Sequence, residues 1–161
     1  MKILIFTEGT IIMHKNAIGH TREEIVKHVV TKDSSIHDYS SYVPIKNAPA
    51  KINIWYDFGA EIIYLTSRKK TQEIEQIKQV LMKHGFPMGQ LEYRKGEEEY
   101  KDVAEKIMPN VLIEDNCESI GGKKEMTITH VSTDKKNKIK SITLKEFGGI
   151  DHLPDDIQLV K

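Results

Sequence analysis

The sequence predicts an α/β fold: a doubly wound, mostly parallel sheet flanked by helices, with a C-terminal β-hairpin. Three observations carry this. Short unbroken apolar runs at Ile3–Phe6, Ile62–Leu65 and Val111–Ile113 read as strands buried on both faces. Stretches with apolar residues at helical spacing separate these runs, the alternation expected of a parallel sheet with right-handed crossovers. Each run also stops at polar residues: Thr7-Glu8-Gly9-Thr10, Thr66-Ser67-Arg68 and Glu114-Asp115-Asn116. In an open α/β sheet ligands bind beyond the carboxyl ends of the strands, so three such endings predict one shared pocket.

The elements follow in order. After the first strand, Ile11–His20 reads as irregular, with Gly19 permitting a turn. Thr21-Arg22-Glu23-Glu24 fits a capping box, and Ile25, Val26, Val29 and Val30 give the helix behind it an apolar stripe. Lys32–Asn47 is polar and reads as a loop. A second helix is predicted from about Ala48 to Phe58, with Ile52 and Trp55 inward and Gly59 as its stop. The strand Glu61–Leu65 follows. Thr71 is the N-cap of a third helix whose apolar face is Ile74, Ile77, Val80 and Leu81, ended by Gly85 and Pro87. Leu91-Glu92-Tyr93 is a short strand. Glu97-Glu98-Glu99 suits a helix's first turn, where acidic side chains favour the macrodipole, and that helix runs to about Ile107 with Val103, Ala104 and Ile107 buried. Beyond the strand Val111–Ile113 and a polar loop Glu114–Gly122, the segments Met126–Val131 and Ile139–Leu144 alternate apolar and polar residues. They predict half-exposed strands joined by a charged turn at Asp134–Lys138. Phe147–Pro154 is a glycine-rich loop.

At 161 residues the chain is expected to form one domain spanning residues 1–161, with room for a sizeable core. Lys+Arg and Asp+Glu number 24 each, so the balance of charge gives no reason to expect nucleic acid or an anionic membrane as partner. The single Cys117 excludes an intramolecular disulfide and suits a reducing compartment. No apolar run approaches the roughly 20 residues of a membrane-spanning helix. The first residues open directly into a strand rather than a signal segment, and a cytoplasmic setting is the expectation.

The order of these signals resembles the haloacid dehalogenase-like (HAD) superfamily, whose members are mostly phosphatases and other phosphoryl-transfer enzymes. That family's first motif is an apolar strand followed by Asp-x-Asp-x-Thr. Aligned on Gly9-Thr10, it places Phe6 at the first Asp and Glu8 at the second. The second motif, a strand ending in Thr or Ser, matches Thr66 with Ser67 beside it. Lys101 is the best match to the third, a lysine on or before the helix preceding the last core strand. Glu114-Asp115 matches the fourth, paired acids after a strand.

The resemblance covers roughly Lys2 to Gly122 and implies a HAD-like fold with minimal cap insertion. It implies Thr10, Thr66, Ser67 and Lys101 around a phosphate, Glu8 as an acid/base, and Mg²⁺ held by Glu8, Glu114 and Asp115. In the family the first Asp attacks phosphorus; Phe6 can neither attack nor bind a metal. Three functional readings follow. The first is a degenerate site that binds a phosphorylated small molecule or a partner protein with little or no HAD-type catalysis. The second is an active Mg²⁺-dependent phosphohydrolase of nucleotides or sugar phosphates with a non-standard nucleophile. The third is a structural or oligomerisation protein with a vestigial pocket. Plainer readings stand beside each residue: Glu114-Asp115-Asn116 as a cap for the next helix, Thr10 and Thr66 as turn hydroxyls, and Lys101 on a solvated face. Arg68 suits an anion contact or a surface ion pair. The histidines show no metal-ligand spacing, and Cys117 has no His partner in sequence.

Overall fold

A computed structural model describes residues 1–160. Strand β1 (Lys2–Phe6) leads into a short β2 (Ile12–Met13), then helix α1 (Arg22–Val30) and a short β3 (Val43–Pro44). Helix α2 (Ala48–Asp57), β4 (Glu61–Leu65), α3 (Thr71–Lys83) and β5 (Gln90–Glu92) follow. The chain continues through α4 (Tyr100–Ile107), β6 (Val111–Asp115), the single-turn helices α5 (Thr127–His130) and α6 (Thr133–Lys136), and β7 (Lys140–Leu144).

Five strands form one sheet in the order β5-β4-β1-β6-β7, and every pairing in it is parallel. β1 is central, with Lys2–Phe6 in register against Glu61–Leu65 and Ile3–Ile5 against Val111–Ile113. Side chains alternate across a strand, so the two faces carry different residues of the same apolar runs. Ile3, Ile5, Ile62, Tyr64 and Val111 pack with Ile52 and Trp55 of α2 and with Ile77 and Leu81 of α3. Leu4, Ile63, Leu65 and Leu112 pack on the opposite face with Val103 and Ala104 of α4 and with Met126 and Ile128 around α5. The unbroken apolar runs thus reflect strands covered by helices on both sides.

The capping box forms as the sequence predicts. Thr21 Oγ1 accepts from the Glu24 N–H, and the Glu24 carboxylate accepts from the Thr21 N–H at 2.8 Å. The acidic run before α4 starts the helix later than expected, because Glu99 is its N-cap and Asp102 closes a second box. The stretch read as irregular after β1 contributes β2, which pairs antiparallel with β3 (Ile12 opposite Pro44, Met13 opposite Val43). Among the described residues no helix is long and apolar enough to cross a membrane.

The expected C-terminal hairpin does not form. Residues Thr127–His130 are helical, and β7 joins the sheet parallel to β6. The deciding group is Glu114, whose carboxylate accepts the N–H groups of Thr127 (2.7 Å) and Ile128 (3.0 Å), the free donors of a helical first turn. Met126, Ile128 and Val131 are buried together in and around that turn.

Gly89, just before β5, lies close against β4: a Cβ there would sit 2.5 Å from the Ile62 carbonyl oxygen and 2.9 Å from the Tyr64 ring. Gly89→Ala is expected to destabilise the fold by about 1–3 kcal/mol, the range for overpacking. Urea denaturation should show this as a lower midpoint at an unchanged slope.

Candidate anion-binding cleft

The β1 end is held by backbone before any side chain acts. Thr7 N–H donates to the Leu65 carbonyl of β4 (3.0 Å), and the Thr7 carbonyl accepts from both Ile11 and Ile12, forming a tight loop around Gly9. Gly9 has φ +81°, and a Cβ on it would lie 2.8 Å from Asp115 Oδ2. The loop therefore presses directly on the end of β6.

Glu8 leaves this loop toward β4. Its Oε1 accepts from Thr66 Oγ1 (2.7 Å), and its Oε2 accepts from Thr7 Oγ1 (2.5 Å) and the Ser67 N–H (3.2 Å). Arg68 Nε lies 3.4 Å from Glu8 Oε1. Four groups thus surround one carboxylate. Arg68 also donates to Ser67 Oγ (2.6 Å) and to Tyr39 Oη, and its guanidinium lies 4.6 Å from the Tyr39 ring centre.

The paired acids of β6 point to opposite faces of the sheet, as adjacent strand residues must. Glu114 caps α5. Asp115 Oδ2 accepts from Thr10 Oγ1 (2.9 Å) and Oδ1 from the Cys117 N–H (2.8 Å). Beside them Glu146, absent from the sequence-based candidates, accepts from both the N–H and the hydroxyl of Ser119 at 2.7 Å. Burial pushes the Glu114, Asp115 and Glu146 carboxyls above their ordinary range, and it outweighs the hydrogen bonds that pull the other way. Burial, reinforced by the neighbouring carboxylates, also pushes the Cys117 thiol up to about 12, so it is no thiolate nucleophile near neutral pH.

Glu8, Glu114 and Asp115, the expected Mg²⁺ ligands, all border one cleft. They do not form a metal cage: among the described residues no group of three His, Cys, Asp or Glu side chains is placed to hold a metal ion. Their oxygens accept from protein N–H and hydroxyl groups instead. Of the expected phosphate contacts, Ser67 lines the cleft, while the hydroxyls of Thr10 and Thr66 are engaged by Asp115 and Glu8. Lys101 pairs with Glu99 at 2.9 Å on the exposed side of α4, outside the cleft lining.

The cleft has a volume of about 360 Å³, and its cations are Arg68 and Arg94. Arg94 is the functional candidate that the sequence-based reading missed. It stands two residues beyond β5, so the rule that singled out the other strand ends also reaches it. Its guanidinium lies 4.0 Å from the centre of the Tyr100 ring, and its Nε is buried without a hydrogen-bond partner. Leaving a buried charged donor unfilled costs upwards of about 1–3 kcal/mol. Phe6 also lines the cleft, its ring edge-on to Tyr100 with centroids 5.1 Å apart.

No protein-family model matches the chain, and none of the curated proteins does. Among solved structures it is similar in shape to the D,D-heptose 1,7-bisphosphate phosphatase from Burkholderia thailandensis. That match has a TM-score of 0.45 and 9% sequence identity, and covers 91% of this chain and 92% of that one.

The raised carboxyls predict a pH dependence. A carboxyl that holds its proton more tightly folded than unfolded stabilises the fold fully below its unfolded pKa and loses that contribution as pH rises through its folded pKa. Stability from Glu114, Asp115 and Glu146 should therefore decline upward from the ordinary carboxylate range of about 4. Urea titrations at a series of pH values should show the decline, and Asp115→Asn should flatten it.

Proposed function

We propose that this chain is a HAD-like protein that binds a phosphorylated ligand in the strand-end cleft and carries out little or no HAD-type phosphoryl transfer. The observation that carries the reading is Phe6. The motif alignment puts it where the family's nucleophile stands, and its ring lines the cleft against Tyr100. A phenyl ring supplies neither a lone pair for attack nor a metal ligand. Glu8, the remaining carboxylate of that motif, is surrounded by Thr7, Thr66, Ser67 and Arg68. A general base must reach the proton that it abstracts, and these contacts favour a structural part for Glu8.

Binding has separate support. Arg68 and Arg94 bring two guanidinium groups to one cleft, and guanidinium is well matched to phosphate oxygens. A volume of about 360 Å³ fits a small molecule, at the lower end of the roughly 300–1,000 Å³ of ligand pockets.

With millimolar Mg²⁺ and a panel of nucleotide and sugar phosphates, release of inorganic phosphate by the purified protein is expected to stay at background and to be unchanged by Glu8→Ala. Robust Mg²⁺-dependent turnover that Glu8→Ala abolishes would overturn the reading in favour of an active phosphohydrolase.

A further inference from the structure

We propose that the pair His14–His28 is a pH-sensitive catch for α1. When the pair takes up a second proton the helix is released, and one wall of the cleft goes with it.

Little attaches α1 to the rest of the protein. Its apolar side, Ile25 with Val26 and Val29, packs on Met13, Ala17, Ile45 and Phe147, a cluster separate from the two core layers of the sheet. At its first residue Arg22 pairs with Glu118 of the loop after β6 at 2.6 Å. In its last turn His28 Nδ1 lies 3.2 Å from His14 Nε2. A segment docked on so small an apolar contact opens locally at low cost, and one polar contact then decides its position. His14 and Val29 both line the cleft, so the same contact shapes it.

The contact works with one proton and fails with two. Two imidazole nitrogens at this separation share one hydrogen: one ring donates and the other accepts. When both nitrogens are protonated neither can accept, and two cations face each other. His14 is 1% exposed, so it cannot turn into water while α1 stays in place. The His20 ring meets His28 edge to face with centroids 4.8 Å apart, adding a third imidazole instead of a counter-charge. The flanking Lys15 and Lys27 are cations, and both are exposed.

The nearby carboxylates are occupied. Asp33 accepts from the Ser35 N–H (2.9 Å), the Ser35 hydroxyl (2.8 Å) and Asn16 Nδ2 (2.9 Å). Glu24 meets His20 Nδ1 at 3.3 Å while closing the capping box of α1. On the cleft side Glu8, Asp115 and Glu146 accept from Thr66, Thr10 and Ser119, and His37 is engaged with Tyr39. Burial first, then His28 and His20, pushes the His14 imidazolium pKa down against the pull of Asp33. The docked helix is therefore favoured above the ordinary imidazole value of 6.5, and that advantage is lost as pH falls below it. The direction is opposite to that of the raised carboxyls. The Arg22–Glu118 pair does not share in the loss, because Arg22 holds the Glu118 carboxyl below its ordinary range.

Amide hydrogen exchange of the full chain, read as protection factors at about pH 7.5 and about pH 5.5, brackets the imidazole range. Protection of the hydrogen-bonded amides of α1 is expected to fall about 10-fold at the lower pH, the change for one extra proton taken up on opening. β1 and β6 should keep theirs. In His14→Gln the side-chain oxygen still accepts from His28 but takes up no proton, and the fall should vanish. Equal protection of α1 at the two pH values in the wild type would overturn the proposal, as would a fall that β1 and β6 share. An undiminished fall in His14→Gln would overturn the assignment to this pair. Imidazole nitrogen shifts of the wild type give a check that needs no variant. Those of His14 and His28 should move over the pH interval in which protection is lost, and opening complete before either ring titrates would also overturn it.

Discussion

Everything at the cleft depends on β1 being hydrogen-bonded on both edges and buried on both faces. Pairing with β4 and β6 fixes its register, and the two core layers on either side fix its depth. The loop that follows has little freedom left. Thr7 is still paired to Leu65, and Glu8 ties β1 to the end of β4 through Thr66 and Ser67. Thr10 ties it to β6 through Asp115. The strand ends are thus joined to each other before any ligand is considered, by the same polar groups that could have served one.

That joining explains the electrostatics of the cleft. Glu114, Asp115 and Glu146 are buried, and each receives donors from nearby backbone or hydroxyl groups. The acidic side is organised inward, toward α5 and the loops after β1 and β6. On the other side Arg68 is half committed to Glu8 and Tyr39, and Arg94 rests on a ring with a donor to spare.

Much of the sheet was legible because burial on both faces writes itself as uninterrupted apolar runs, and α2 and α3 because Ile52, Trp55, Ile77 and Leu81 recur at helical spacing. The segment 126–131 misled because Met126, Ile128 and Val131 suit a strand or a short helix equally. The choice rests on Glu114, distant in sequence, whose carboxylate meets the helical N–H groups. At the site, Glu8, Thr10, Thr66 and Asp115 were legible as strand-end residues, and they meet in two pairs, Glu8 with Thr66 and Asp115 with Thr10. Lys101 was selected by its place in a motif, yet the register of α4 sets it beside Glu99 in solvent. Tyr39 and Tyr42 come from a segment of short 3₁₀ turns with no periodicity, so nothing local marked them as cleft residues. Arg94 carried a signal, its place just past β5, but a strand of three residues marks its own end only weakly.

Gly9 carries a last consequence for reading motifs. Its backbone is left-handed, and Asp115 leaves no room for a side chain there. A chain that had lost all phosphate chemistry would still need that glycine to close its fold. The Glu8-Gly9-Thr10 turn is therefore required by steric fit whatever chemistry takes place beside it. Where a signature residue doubles as a packing requirement, its presence attests to architecture and not to activity.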